Sequence, residues 1–545
     1  MGVIQLKNLL HRVLPLLMTL LFSVTLFTGC EEDDGSGHTF KMNLASNPAN
    51  LDPQMAEDIS SRTVIANMMD GLVKVTETGA IEPDAARSYN ISDDGKTYTF
   101  ELKKNIMWEG AEGFKAKMTA DDFVFAFQRI FDSKALHSPY VEKFSCIKNA
   151  SQVSSGKMSP DKLGVSAEGD YTLIIELEYP CYEFLSLLAT TAAMPCNRLF
   201  FESTKGKYGL AAEATISNGA FYLKEWNYDP YWDNNYIIMR RNKSNSSVDY
   251  VYPYSLNFFI KDEENDISDF KNGSIDCVIA DSYDPALLKG NNYNGYSTKS
   301  YGLVFNVNNA YFKDQKLRYA LAASFNREMY GDKLPENYTA AYGIIPEAVT
   351  VLGKSYRTLS ADTGLSLYDR SKAAGVWIDT LSEMELTTLE NIKITVPESF
   401  DGADNLNYVT EQWQQNLGFF CGIEVVSQNE YDLKISENSF DIALVELTAD
   451  KSVYEYFNLF IQGKGELEGY VDYAVKGSLY GVQRAENLSK AVELYTAAES
   501  QIINSAVYVP LFYGKEYFVY SPESSDIVYQ PFTREIDFRY AKYFD

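Results

Sequence analysis

Strands alternate with helices in both halves of this chain, and that alternation confines it to an α/β architecture. In the first half, residues 40–46 read as a strand and the run Pro48-Ala49-Asn50-Leu51-Asp52-Pro53 as a turn. A helical pattern over 60–69 stops at Gly71. Asp93-Asp94-Gly95-Lys96 predicts a hairpin turn into an alternating strand at 97–102. Thr119-Ala120-Asp121-Asp122 has the form of a helix cap, and the amphipathic run 123–130 follows it. Further strands are expected at 171–178 and after the turn at Asn218-Gly219. In the second half a strand at 301–306 leads into a helix over 314–328, with Leu317, Ala320, Leu321 and Phe325 on one face. Strands at 392–396 and 423–426 flank a helix near 405–417. A last helix spans 485–504, and Pro510 opens the closing strand region. At 545 residues the chain exceeds one ordinary core, which implies two or three lobes.

The N-terminus is read separately. Lys7 and Arg12 accompany an apolar stretch at 13–27, too short and too broken by Pro15 for a comfortable membrane span. The ending Leu26-Phe27-Thr28-Gly29-Cys30 resembles the lipobox of bacterial lipoproteins, with Phe27 where Leu is usual. The resemblance implies a signal peptide at 1–29 and lipidation of Cys30 as the new N-terminus. Residues 30–38 then form the lipidated cysteine and an acidic tether beginning Glu31-Glu32-Asp33-Asp34. An ordinary secretory signal or an uncleaved anchor is the alternative.

Composition narrows the chemistry. A formal net charge of −27 repels nucleic acid and anionic lipid, so no nucleic-acid partner is expected, and membrane attachment is expected through acyl chains. Cys146, Cys181, Cys196, Cys277 and Cys421 include no C-x-x-C pair, and Cys181 with Cys196 is the one pairing their spacing suggests. His137 is the one histidine beyond the tether, which speaks against Ser-His-Asp, Cys-His and His-ligated zinc sites. Gly353-Lys354-Ser355 ends like a phosphate loop, but Ala348 stands where that loop needs glycine. The 40 Tyr, 31 Phe and 5 Trp exceed the needs of a core, and such residues often line sites for flexible ligands, although most will pack between sheets.

A series of short motifs runs through the body: Leu51-Asp52-Pro53, Asp70-Gly71-Leu72-Val73, Asp94-Gly95-Lys96-Thr97-Tyr98-Thr99-Phe100 and Met118-Thr119-Ala120-Asp121-Asp122-Phe123-Val124. Ser138-Pro139-Tyr140, Asn218-Gly219-Ala220-Phe221, Phe305-Asn306-Val307-Asn308-Asn309, Arg318-Tyr319-Ala320-Leu321 with Asn326-Arg327, and Val509-Pro510-Leu511 continue it. In order and spacing the series resembles the oligopeptide-binding proteins of bacterial ABC importers, the family 5 extracellular solute-binding proteins. The resemblance implies a two-lobed type II periplasmic-binding (Venus-flytrap) fold with an extra inserted domain. Lobe I would comprise 39–87, 211–298 and 513–545, the inserted lobe II 88–210, and lobe III 299–512.

The same resemblance implies a monomer that captures oligopeptides between its jaws, facing the periplasm or the extracellular side. It would deliver them to ABC permease subunits with separate ATPases, and it would have no catalytic residue, metal or cofactor. Such binders pair the ligand's α-ammonium with an aspartate, which maps to Asp450 in Leu447-Thr448-Ala449-Asp450-Lys451. Leu447 and Lys451 depart from the family's aromatic residues there, and a plain Asp450–Lys451 surface pair is the alternative. Glu57 and Ile59 map to the first jaw, Tyr140 to lobe II, and Val304, Asn306 and Tyr431 to the second jaw's rim. The position where some relatives place an arginine for the ligand carboxylate is Leu444. An oligosaccharide or chelate ligand, or a peptide sensor that has lost transport, stays open.

Overall fold

The computed structural model of the protein describes residues 36–544 apart from 77–79, 111–112, 135–137, 232–233, 262–264, 361–367, 401 and 450–451. Cys30, the signal peptide and most of the tether lie outside the described residues, as do His137 and Asp450.

The first sheet joins segments far apart in sequence. Its order is Thr39–Leu44, Ser255–Ile260, Tyr236–Arg241, Phe221–Asn227, and the first pair is parallel. A second, antiparallel sheet is built wholly from the segment between them: Ala86–Ile91, Thr97–Leu102, Thr172–Glu176 and Val165–Glu168. The hairpin at 93–96 forms as expected. Gly95 takes a left-handed φ of +67°, and Asp94 Oδ1 accepts from Ser92 Oγ at 2.6 Å and from the Lys96 amide at 3.2 Å. The helix Ala120–Phe131 starts at Thr119, whose amide donates to Asp122 Oδ2 at 2.8 Å. Asp122 also accepts from Trp108 Nε1 and Asn197 Nδ2, each at 3.1 Å, so one carboxylate both caps a helix and ties three segments together.

Two long antiparallel strands, Asn292–Phe305 and Tyr508–Tyr520, connect this body to the next. At one end residues 515–520 pair with 292–297, and Cys277–Ala280 lies beyond them. At the other end 299–305 pair with Ile442–Thr448, Lys393–Pro397 and Gly422–Val426 continue the sheet, and Tyr338–Ala340 pairs with residues 512–514. The register shifts between Ser297 and Lys299, leaving Thr298 as the extra residue, and shifts again between Tyr301 and Gly302 opposite Pro510. Pro510 has no amide hydrogen to donate, and a bulge is where a sheet tolerates it.

The cores divide at the same place. One apolar core draws on residues from Phe40 to Cys277 and again from Phe518 to Ala541. Two others draw on Tyr301 to Phe512 and on Val304 to Tyr508. The long strands therefore leave one core and enter another across the bulge, which gives two lobes joined by a strand pair.

Local departures have local causes. The helix expected over 314–328 ends at Ala323 and restarts as Arg327–Gly331, because the Asn326 side chain accepts from the Met329 amide at 3.2 Å and caps a new helix. The last helix is Leu488–Ser505, started by Asn487, whose side chain accepts from the Lys490 amide at 2.9 Å. The suggested pairing of Cys181 with Cys196 is not made. Cys196 is fully buried, and its sulfur accepts from Arg129 Nη1 at 3.3 Å.

Candidate functional site

Strands of an open α/β sheet present ligands at the ends where the chain turns away, and the first lobe does this beside the bulge. A cavity of about 570 Å³ opens there. Its walls are the end of Thr39–Leu44 with Ser46, the start of the helix Ile59–Met68 with Ser60 and Thr63, and the end of Cys277–Ala280 with Asp281. Arg534 and Ile536, returning from the C-terminal segment, close it. The helix start is held by Asp58, which accepts from the Ser61 amide at 2.7 Å.

Charge concentrates on one wall. Asp281, exposed, accepts from Lys299 Nζ at 3.3 Å and lies 3.5 Å from Arg534 Nη2. Behind them Glu516 is buried, 3.5 Å from Arg534 Nε, and it also accepts from the Tyr529 hydroxyl. Burial pushes the Glu516 carboxyl above its ordinary range, with Arg534 opposing. Arg534 holds a left-handed φ of +61°, an unfavourable conformation for a side chain of this size.

Sequence-expected residues fall in different places. Ile59 lines the cavity. Glu57 is exposed beside it, and its carbonyl accepts from Arg62 Nη1. Tyr140 is half-buried, and its hydroxyl donates to the Ala56 carbonyl, which sets it next to Glu57. Burial raises the Tyr140 phenol to about 12. Arg62 continues to the Thr533 carbonyl at 3.0 Å and to Glu535 at 3.3 Å, so Glu57 and Tyr140 share one supporting guanidinium. Val304, Asn306 and Tyr431 belong instead to the packing of the other lobe. Val304 is 2% exposed. Asn306 Nδ2 donates to the Phe440 carbonyl at 2.7 Å, and its Oδ1 accepts from the Asn308 amide at 2.9 Å. The Tyr431 hydroxyl donates to the Leu444 carbonyl at 2.9 Å. Of the aspartate expected at 450 only the flanks are described. The Ala449 amide donates to the Thr298 carbonyl at 2.8 Å, and Ser452 opens the helix Val453–Gln462 with a capping box to Glu455.

The lobes also touch. The Tyr182 hydroxyl donates to the Ala485 carbonyl at 2.9 Å, and the Tyr495 hydroxyl donates to Glu183 Oε1 at 2.6 Å. Burial raises the Glu183 carboxyl. A second cavity of about 340 Å³ lies at this contact, between Lys143, Tyr179 and Cys181 on one side and Tyr454, Gln483 and Tyr495 on the other. Sequence reasoning missed Asp281, Arg534, Glu183 and Tyr495. Asp281 had a usable signal in its place just past a strand end. The others had none: Glu183 and Tyr495 meet across 312 positions of sequence, and Arg534 reaches Asp281 from more than two hundred positions away.

Among the described residues, no group of three His, Cys, Asp or Glu side chains is placed to hold a metal ion, and no helix is long and apolar enough to cross a membrane.

A family model described as bacterial extracellular solute-binding proteins, family 5 middle, matches residues 80–466. The oligopeptide-binding protein of Bacillus subtilis is 25% identical over 97% of this chain and 98% of its own length. The dipeptide-binding protein of Lactococcus lactis subsp. cremoris is 25% identical over 92% and 93%. Among solved structures, the peptide-bound oligopeptide-binding protein of Listeria monocytogenes superposes with a TM-score of 0.66 at 21% identity, covering 93% of this chain and 99% of that one. The murein tripeptide-binding protein of Escherichia coli gives 0.67 at 22% identity, covering 94% and 99%. These likenesses establish the two-lobed type II fold.

Proposed function

Because the chain belongs to the family 5 bacterial extracellular solute-binding proteins, we propose that it captures oligopeptides between its lobes and delivers them to an ABC permease. The observation that carries this reading is the pair of long strands crossing from one core to another at a bulge, beside a cavity of about 570 Å³. A strand pair interrupted by one extra residue is a natural bending point, and ligand bound to both lobes biases such a hinge toward closure. The relatives named for dipeptides and oligopeptides support a peptide as the solute.

In this reading lobe I comprises 39–87, 211–298 and 513–545, lobe II is the insertion 88–210, and lobe III is 299–512. The register shift between Ser297 and Lys299 supports the first lobe I–III boundary. Peptide backbone is met by the polar lining at Ser46, Ser60 and Thr63, and side chains by the half-apolar remainder, an arrangement that tolerates varied sequences. Asp450 anchors the α-ammonium. What supports it is that Ala449 is tied to the bulge residue Thr298 and Ser452 starts a capped helix, so both flanks are fixed at the crossing point. Cys30 carries the lipid anchor, and confinement to the membrane raises the effective concentration of the binder at its permease. The binder acts as a monomer, without chemistry of its own; separate ATPases power transport.

Calorimetric titration with one peptide sequence, N-terminally free or acetylated, tests this. The wild type binds the free peptide and loses most affinity for the acetylated form, and Asp450→Ala abolishes the difference. Equal binding of both forms by the wild type overturns the amine anchor. No peptide binding, with binding of an oligosaccharide, overturns the peptide reading.

A further inference from the structure

Two thiols meet where the first lobe touches the second. Cys146 is folded against the chain that ends in Cys181: Ile147 bridges Leu177 in antiparallel fashion, and the Glu178 amide donates to the Cys146 carbonyl at 2.8 Å. Past Pro180 the chain turns so that Cys181 faces the same cavity as Cys146, and its sulfur lies 3.9 Å from Glu183 Oε2. Both cysteines line the cavity of about 340 Å³ between the lobes. The other described thiols have different company: Cys196 lies against Arg129, Cys421 against the Gly422 carbonyl, and Cys277 is buried near Asp276 and Asp266.

We propose that Cys146 and Cys181 form a disulfide in the exported protein and that this bond braces the segment docking on the second lobe. Members of this family work outside the cytoplasm, where disulfides persist. The step is thiol–disulfide exchange with a disulfide-bearing oxidant. Each cysteine gives up its thiol hydrogen and the two sulfurs bond, while the oxidant's sulfur–sulfur bond breaks and takes up two electrons and two protons as two thiols. The Cys146 thiol and burial hold Cys181 well above the usual thiol range. The thiolate that exchange requires is therefore scarce once the cleft is assembled, and the bond forms while the segment is still folding. Its mechanical effect falls on the next two residues. Tyr182 and Glu183 carry the contacts to Ala485 and Tyr495, so pinning Cys181 limits how far they can move from the body of the first lobe.

The test uses the full-length chain from cells that export it, with thiols alkylated at lysis, digested without reduction and mapped by mass spectrometry. The expected result is a cross-linked peptide pair joining Cys146 to Cys181. Alkylated Cys146 and Cys181, or a link from Cys181 to Cys196, overturns the proposal. A second measurement follows the melting temperature with and without reductant. Reductant lowers it for the wild type and leaves the double variant Cys146→Ser/Cys181→Ser unchanged. A wild type insensitive to reductant contradicts the bracing role, and the peptide map decides the bond itself even if the variant does not fold.

Discussion

Tyr495 donates its hydroxyl to Glu183 across 2.6 Å, and the two residues stand on opposite sides of the contact between the lobes. Both are buried, so neither has water as a substitute partner. Tyr495→Phe leaves Glu183 without its strongest donor, at a cost of ~1–3 kcal/mol. If the lobes close on ligand, peptide affinity falls by about 5- to 150-fold. Titration of wild type and variant with the same peptide checks this, and unchanged affinity means that the contact plays no part in closure.

Stability falls as pH rises from mildly acid to neutral. Burial raises Glu535 from its ordinary 4.5 to about 7 and Asp122 from 3.8 to about 6. Asp70 is likewise raised by burial to about 6, with Arg539, 3.0 Å from Asp70 and 2.7 Å from Asp84, opposing the rise and the Asp84 charge adding to it. Between the ordinary and raised values the folded protein holds more protons than the unfolded chain, so the stabilisation is fully present below about pH 4 and lost by about pH 7. Melting temperatures at several pH values across this window should decline by a few degrees, and Glu535→Gln should flatten the upper part of the decline. A flat or rising profile for the wild type counts against the assignment.

Gly219→Ala should destabilise the protein by ~1–3 kcal/mol or more. A Cβ there would lie 2.6 Å from the carbonyl carbon and oxygen of Met68 and 2.7 Å from the Met69 amide, all of them backbone atoms. Asn218, its neighbour, donates to the Asp70 carbonyl at 2.9 Å and accepts from the Asp70 amide at 3.2 Å. The motifs Asp70-Gly71 and Asn218-Gly219 therefore form one joint, and prying it open costs ~1–3 kcal/mol or more. Chemical denaturation of the variant measures the cost; a value near zero would show that the backbone can move apart freely.

Arg534→Ala should destabilise by about 1–3 kcal/mol, less than a wholly buried pair because the Arg534 side chain is 37% exposed. The loss comes from Glu516, left buried without its cation. Adding Glu516→Gln should recover most of it, and a double variant no more stable than Arg534→Ala would assign the loss to packing instead.

What the sequence revealed was whatever is settled within a few residues. The hairpin at Asp94-Gly95 and the cap at Thr119–Asp122 are made by side chains bonding their own neighbours, so their spacing is enough to predict them. The strand Asn292–Phe305 was legible only from residue 301 onward, since Asn292-Tyr293-Asn294-Gly295 reads as a polar loop. Those residues are held extended by pairing with Tyr508–Tyr520, more than two hundred positions later. The cavity divides the same way. Ile59 was reachable through the family resemblance, whereas Arg534 arrives by the C-terminal return, in a backbone conformation that no residue pattern announces. Asn306 and Tyr431 were named by the resemblance for the second jaw's rim, but nothing local shows that their polar atoms bond the Phe440 and Leu444 carbonyls.

Mass spectrometry of the small molecules released when the full-length protein, purified from its own cells, is denatured tests peptide capture most directly. The account predicts a mixture of short peptides of varied sequence from the wild type, in amounts approaching one per chain. Release of a single sugar or other non-peptide solute in that amount, with no peptides, would contradict it.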